Sequence, residues 1–151
     1  FDSLQTAREP DGRYYAASVG RVHETGVDGP LHNDNIARDA DGSGLLVTRF
    51  THQLSLVLCI EECTRGGELV IFRKEWSHAD EKFKIRQGLG YEEAVVVGTT
   101  RAVFKPRTGD AYLINPRNYH LIKRVHQGCR VTAGSFIGWS DNSATTASIW
   151  A

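Results

Sequence analysis

Between residues 52 and 60 the chain alternates strictly. Leu54, Leu56, Leu58 and Ile60 share one parity, and Gln53, Ser55, Val57 and Cys59 share the other. Period-two alternation puts the two sets on opposite faces of an extended strand. Strand-like stretches recur at residues 14–19, 20–23, 45–50, 68–73, 102–105, 111–115, 119–125 and 130–139, with a brief extended piece at 31–35. Turn chemistry separates them: Gly26, Gly29 and Pro30, the polar run 38–44, Arg65-Gly66-Gly67, Pro106-Arg107-Thr108-Gly109-Asp110, Pro116-Arg117-Asn118, and His126-Gln127-Gly128. Residues 76–86 are the best helix candidate, with Ser77 as its N-cap. Gly88, Gly90 and Gly98 break up the segment around 91–97, and the Ser- and Thr-rich tail 140–151 is weakly periodic. Many short strands with only minor helix predict an all-β fold, and about eight strands suit a jelly roll, the double-stranded β-helix of cupin-like proteins.

A length of 151 residues bounds the chain to a single domain with one core. Eighteen basic side chains offset 18 acidic ones, so bulk electrostatics argue against a nucleic-acid partner. The longest apolar run, 54–60, is interrupted by Ser55 and is far short of a membrane span. No signal peptide is visible. Cys59, Cys63 and Cys129 are odd in number and irregular in spacing, which fits no disulfide framework and suggests a reducing, cytoplasmic compartment. Without a second thiol pair, Cys59-x-x-x-Cys63 reads as two small residues at a strand end and not as a zinc site. The chain begins at Phe1 and contains no Met. It is therefore expected to be a trimmed, processed or partial piece of a longer protein, lacking N-terminal elements.

Of the six histidines, His78 and His126 fall in charged or turn segments and are expected at the surface, while His23 and His52 sit in strand-like segments. His32-Asn33-Asp34 is different. On an extended strand, residues i and i+2 point to the same side, so one imidazole and one carboxylate converge. That is two-thirds of a facial triad of two His and one carboxylate, which leaves three cis positions open on an octahedral metal. The third ligand must be returned by the fold from a distance, and His120, opening a strand after Pro116-Arg117-Asn118, is the candidate. Arg130 follows ten residues later. A hairpin turning near Gln127-Gly128 would lay the strands of His120 and Arg130 side by side and aim Arg130 into the same cavity. A buried guanidinium needs an anionic partner, and its planar fork suits a carboxylate. A metal with open sites beside such an arginine is what a chelating keto acid requires.

His32-x-Asp34, His120 and Arg130-x-Thr132 together resemble the H-x-D…H…R-x-S/T motif of the Fe(II)/2-oxoglutarate-dependent oxygenases. Gly66-Gly67-Glu68-Leu69, Lys105-Pro106-Arg107-x-Gly109-Asp110 and Asn115-Pro116-x-x-Tyr119-His120 add to the likeness, which covers roughly residues 20–139. Within that superfamily the chain looks most like free-standing natural-product hydroxylases related to alkaloid halogenases. The resemblance implies Fe(II) on His32, Asp34 and His120. It implies 2-oxoglutarate chelated to the metal, with its far carboxylate on Arg130 and Thr132 and with Gln53 as a second cofactor contact. Dioxygen would complete the set, succinate and carbon dioxide would leave, and a C–H bond of a small natural product or amino-acid-derived substrate would be hydroxylated. Related halogenases carry Gly or Ala where Asp34 stands, so the carboxylate points to hydroxylation.

Two rival readings share the fold. A cupin-type metal enzyme without 2-oxoglutarate would not need Arg130, and its typical cluster has three or four His with one Glu. A jelly-roll binding module would make His32 and Asp34 loop polar groups and would require four residues to match the motif by accident. Trp76, Tyr91 and Trp139 are expected in core packing or a covering loop before any substrate role.

Overall fold

A computed structural model describes residues 1–141 and 144–151. Its strands are β1 (Ser3–Thr6), β2 (Val19–His23), β3 (Gly29–His32), β4 (His52–Glu61), β5 (Arg65–Gly66), β6 (Leu69–Glu75), β7 (Arg101–Phe104), β8 (Ala111–Ile114), β9 (Asn118–Ile122), β10 (Val125–Gln127), β11 (Arg130–Trp139) and β12 (Thr146–Trp150). One sheet runs β1-β12-β11-β4-β8 with β2 also on β11, the second runs β3-β9-β6-β7, and β5 pairs with β10 in a short ribbon. The β2-β11-β4-β8 and β3-β9-β6-β7 foursomes face one another across a cavity lined from both. This is the all-β double-stranded β-helix that the strand count suggested.

Several local expectations change. Residues 14–18 form no strand, and Tyr14 makes only an isolated bridge to Arg8. The apolar run at 45–50 is a 3₁₀ turn, Leu46–Arg49, which puts Val47 and Phe50 into one cluster at a spacing of three. The expected helix at 76–86 is shorter and tighter, a 3₁₀ turn at His78–Phe83, and a second such turn covers Glu93–Val96. The weakly periodic tail holds β12, which pairs with β11 antiparallel and with β1 parallel. The β1 partner lies at the other end of the chain and the β11 pairing spans only residues 136–138, so local pattern carries little trace of the strand. Asn142 and Ser143, within that tail, lie outside the described residues.

The alternation along the strands decides what packs where. On the second sheet Leu31, Val70, Phe72 and Tyr119 face outward and are covered by Tyr91, Val95 and Val96 from the connection between β6 and β7. Their neighbours in sequence, His32 and His120, face the cavity. On the first sheet the order is inverted relative to hydrophobicity. Ser55 and Val57 line the cavity, whereas Leu58 and, on β8, Leu113 lie on the opposite face and are exposed.

The covering segment is anchored by one buried carboxylate. Asp80 receives the Ser77 amide at 2.9 Å, the Lys74 ammonium at 2.9 Å and the Tyr119 hydroxyl at 3.4 Å, and it completes a capping box with Ser77. Burial alone would raise its pKa, but the bonds to Lys74 and Ser77 prevail and hold it below the usual carboxylate value. Burial and the Asp80 charge push the Tyr119 hydroxyl upward. Asp80→Asn is expected to cost about 1–2 kcal/mol at neutral pH. Because the folded pKa is depressed, that stabilisation is present above the unfolded pKa and disappears as pH falls through the folded value. Urea denaturation of the two proteins should therefore differ clearly at pH 7 and converge only as pH falls below the ordinary carboxylate value of 3.8.

Candidate active site

β3 and β9 pair antiparallel with His32 opposite His120, so both imidazoles project from the same face with ring centroids 4.3 Å apart. The strand expected at 31–35 stops at His32, and Asp34 lies in the following loop. A 2.9 Å bond from the Asp34 amide to the Pro116 carbonyl holds that loop against the turn before β9. The Asp34 Oδ2 consequently sits 3.7 Å from His32 Nε2 and 3.6 Å from His120 Nε2.

Both rings are oriented in the same way. His32 Nδ1 lies 2.7 Å from the Pro30 carbonyl oxygen, and His120 Nδ1 lies 2.9 Å from that of Asn118. A carbonyl can only accept, which assigns the proton to Nδ1 and leaves the Nε2 lone pair facing Asp34. Burial pushes the pKa of His120 down to about 4, the neighbouring His32 adds to this, and the Asn118 carbonyl and Asp34 oppose it. His120 is thus neutral at physiological pH, as a metal-ligating imidazole must be. Two imidazoles and a carboxylate, their ligand atoms within 4.8 Å of one another, are the metal-capable cluster among the described residues. Asp34 and His32 keep about a third of their side-chain surface accessible, so one side of the cluster is open. Cys59, Cys63 and Cys129 are free thiols outside this cluster, and Cys63 donates to the Gly66 carbonyl at 3.1 Å.

Arg130 reaches the cavity by a route different from the hairpin expected. β9 and β11 belong to opposite sheets, so His120 and Arg130 face each other across the cavity and are not on adjacent strands. The short strand β10 and its pairing with β5 carry the chain from one sheet to the other. Arg130 is only 4% exposed. Its Nη2 donates to the Tyr112 hydroxyl at 3.0 Å, its Nε is buried without a partner, and no carboxylate pairs with it among the described residues. Thr132, two residues on and buried, presents its side chain to the same cavity. An always-charged guanidinium held this way is a costly arrangement that an anion would relieve.

Gln53 is placed elsewhere. Its Oε1 accepts the Ile36 amide at 3.0 Å, at the start of the one-turn helix α1 (Ile36–Asp39), and the side chain is not part of the cavity wall. It holds the loop that follows Asp34, in place of the expected contact with a cofactor. His78 and His126 are exposed as expected. Tyr112, Arg21 and His23 line the cavity as well, and no motif marks them in the sequence. The available signal was strand parity. Arg21 lies opposite Thr132 and His23 opposite Arg130 in the β2–β11 pairing, so all four side chains share one face.

The cavity measures about 350 Å³, within the usual range for small-molecule sites. Its floor explains the paired glycines. Gly66 and Gly67 have φ of +86° and +71°, and a Cβ on Gly67 would lie 2.5 Å from Cys63 Sγ and 3.3 Å from Arg130 Cδ. Only glycine adopts that conformation freely and lets the turn pass beneath the arginine. Gly67→Ala is expected to cost about 2 kcal/mol. Gly20→Ala, where nothing lies within 4 Å of the added carbon, should stay within about 0.5 kcal/mol of the parent in the same denaturant titration.

Comparisons with known proteins agree with this architecture. The chain matches the family described as carrier-protein-independent halogenase WelO5 over residues 2–150. It is 31% identical over 126 residues to the L-gamma-glutamyl-L-propargylglycine hydroxylase of Streptantibioticus cattleyicolor, covering 81% of this chain and 45% of that protein. It is 28% identical over 142 residues to Leucinostatins biosynthesis cluster protein S of Purpureocillium lilacinum, covering 90% of this chain and 56% of that one. The chain thus spans about half the length of the curated relatives it matches. Its fold is similar to that of an N-substituted L-amino acid dioxygenase from Burkholderia ambifaria, with a TM-score of 0.73 at 19% identity over 98% of this chain and 58% of that one. The same dioxygenase solved in complex with α-ketoglutarate gives a TM-score of 0.71, also at 19% identity and the same coverage. The chain belongs to the WelO5-like halogenase and hydroxylase family, within the Fe(II)/2-oxoglutarate-dependent oxygenase superfamily.

Proposed function

We propose that this chain forms the catalytic core of a hydroxylase that uses Fe(II), 2-oxoglutarate and dioxygen on a C–H bond of a small, amino-acid-derived or other natural-product substrate. The observation that carries this reading is Arg130, a buried cation with no anionic partner among the described residues, in the same cavity as His32, Asp34 and His120. His32, Asp34 and His120 would hold the iron. Arg130 would pair with the far carboxylate of 2-oxoglutarate, and Thr132 would donate a hydrogen bond to it. Bound there, iron, 2-oxoglutarate and dioxygen supply the oxidising chemistry, with succinate and carbon dioxide as co-products.

The residues of the chain have narrower tasks. The Pro30 and Asn118 carbonyls keep both imidazoles in the tautomer that presents Nε2. Gln53 and the Pro116 carbonyl hold the two sides of the Asp34 loop. Tyr112 accepts one Arg130 N–H and so limits the directions in which the guanidinium can offer its others. Leu69, Ile114 and Phe136 add apolar wall, which keeps water from the reacting atoms. The amino-acid-derived substrate class is supported by two similar proteins, one named for a γ-glutamyl dipeptide and one for N-substituted L-amino acids.

The family description names a halogenase. Against halogenation by this chain stands Asp34, whose carboxylate lies 3.6–3.7 Å from both imidazoles and takes the place a halide would need. Asp34→Gly is expected to reduce iron affinity, abolish hydroxylation and admit chloride. A variant that neither binds chloride nor loses hydroxylation would remove Asp34 from the ligand set.

Anaerobic titration of Fe(II) and 2-oxoglutarate tests the whole reading. A weak visible charge-transfer band should require both components. It should vanish in His120→Ala through loss of iron. In Arg130→Met the affinity for 2-oxoglutarate should fall about 30-fold or more, the equivalent of about 2 kcal/mol for truncating one side of a buried charge pair. Iron binding indifferent to 2-oxoglutarate would point to a cupin-type enzyme. A folded protein that takes up no metal would be a binding module.

A further inference from the structure

We propose that Arg21 on β2 is a specificity residue that receives a carboxylate of the substrate. The inference rests on the Fe(II)/2-oxoglutarate reading above and extends it to the third reactant.

Arg21 faces the cavity from the strand beside Arg130 and Thr132. Arg21 is exposed, as most of this strand is, yet its guanidinium does not extend away from the sheet. It folds back over β11, where a Cβ added to Gly134 would lie 2.4 Å from its Nη1. The absence of a side chain at Gly134 thus leaves the space that the guanidinium fills. No hydrogen bond or ion pair is made by Arg21 among the described residues. Arg124, by contrast, is bonded at 3.0 and 3.1 Å to Asp28, which lines the cavity. Beside Arg21, His23 has a buried Nδ1 with no partner. Burial, Arg130 and Arg21 all favour its neutral form, so this ring can offer a hydrogen bond without adding charge.

Charge balance says what Arg21 is free to bind. With both cofactors in place, the two charges of Fe(II) and the one on Arg130 are met by Asp34 and the two carboxylates of 2-oxoglutarate. Asp28 is already met by Arg124. Arg21 then remains the cavity-lining cation with no carboxylate partner among the described residues, exposed to solvent until a ligand covers it. It lies on the side of Thr132 toward Phe136 and Ser55, away from the Arg130 end of the cavity. A planar guanidinium in that position pairs best with a carboxylate. The neighbouring walls, Val57, Ile114 and Phe136, suit an aliphatic body. The substrate class is therefore a small aliphatic acid that carries a free carboxylate, of the kind an N-acylated amino acid presents.

The test uses a matched pair of probes, N-acetyl-L-leucine and its C-terminal amide, titrated anaerobically into the protein loaded with Fe(II) and 2-oxoglutarate. Binding is followed by calorimetry and by perturbation of the charge-transfer band. The acid should bind at least tenfold more tightly than the amide. Arg21→Gln should reduce that ratio to within twofold of unity, Arg21→Lys should keep part of it, and neither should shift 2-oxoglutarate affinity more than twofold. A loss of 2-oxoglutarate affinity of tenfold or more in Arg21→Gln would assign Arg21 to the cofactor instead. Equal affinity for acid and amide, or no binding of either to a correctly loaded protein, would overturn the proposal. Failure of the unsubstituted protein to form the charge-transfer band is a separate result, which overturns the cofactor reading and this inference with it.

Discussion

Everything at this site depends on the pairing of His32 with His120 across two neighbouring strands. The register brings the rings within 4.3 Å, and each is held by the carbonyl two residues before it on its own strand. Two residues is the strand repeat, so the same backbone geometry that makes the ladder also sets the imidazole tautomer. Asp34 then needs only a loop short enough to stay close, and the bond from its amide to Pro116 provides this. The cluster is built on the most strongly constrained part of the sheet, with a single loop residue completing it.

The second constraint is electrostatic. A jelly roll with an apolar interior would expel Arg130, yet here the guanidinium is almost wholly buried with one phenolic partner and no carboxylate among the described residues. The surrounding structure supports it: Gly67 passes beneath its methylene chain, and Tyr112 caps one N–H. Arg21 on the neighbouring strand, though exposed, makes no hydrogen bond or ion pair among the described residues. Two like charges on one wall, with a metal-capable cluster opposite, make the cavity a receptor for anions at more than one point. The outer face of the second sheet carries apolar packing that holds this polar interior in shape. Tyr119 and Leu31 do so there, buried beside the two histidines, while Asp80 ties down the segment that covers them.

How much of this was legible in the sequence depends on the distance over which each signal acts. The all-β character followed from alternation and turn residues. The short 3₁₀ turns at Leu46–Arg49 and His78–Phe83 did not, because a single turn leaves too few residues to show a period. β12 was hidden because its partners are at the other end of the chain and at residues 136–138. His32, Asp34, His120, Arg130 and Thr132 could be picked out together by their resemblance to the H-x-D…H…R-x-S/T motif. Gln53 could not be placed correctly, because a polar residue on a strand can face a cofactor, solvent or a backbone amide, and here it meets the amide of Ile36.

The sequence by itself determined which side chains share a strand face, since parity is a local property of the extended backbone. It thereby grouped Arg130 with Thr132 and Leu54 with Leu56 and Leu58. Only the tertiary structure decided which of the two faces looks into the cavity. On β4 it is the less hydrophobic one, so Ser55 and Val57 line the cavity while Leu58 is left exposed on the other side. It also decided that His120 and Arg130 meet from opposite sheets, and that Arg21, His23 and Tyr112 join them. Those choices depend on strand order and on how two sheets close over one another, and no local stretch of sequence carries that information.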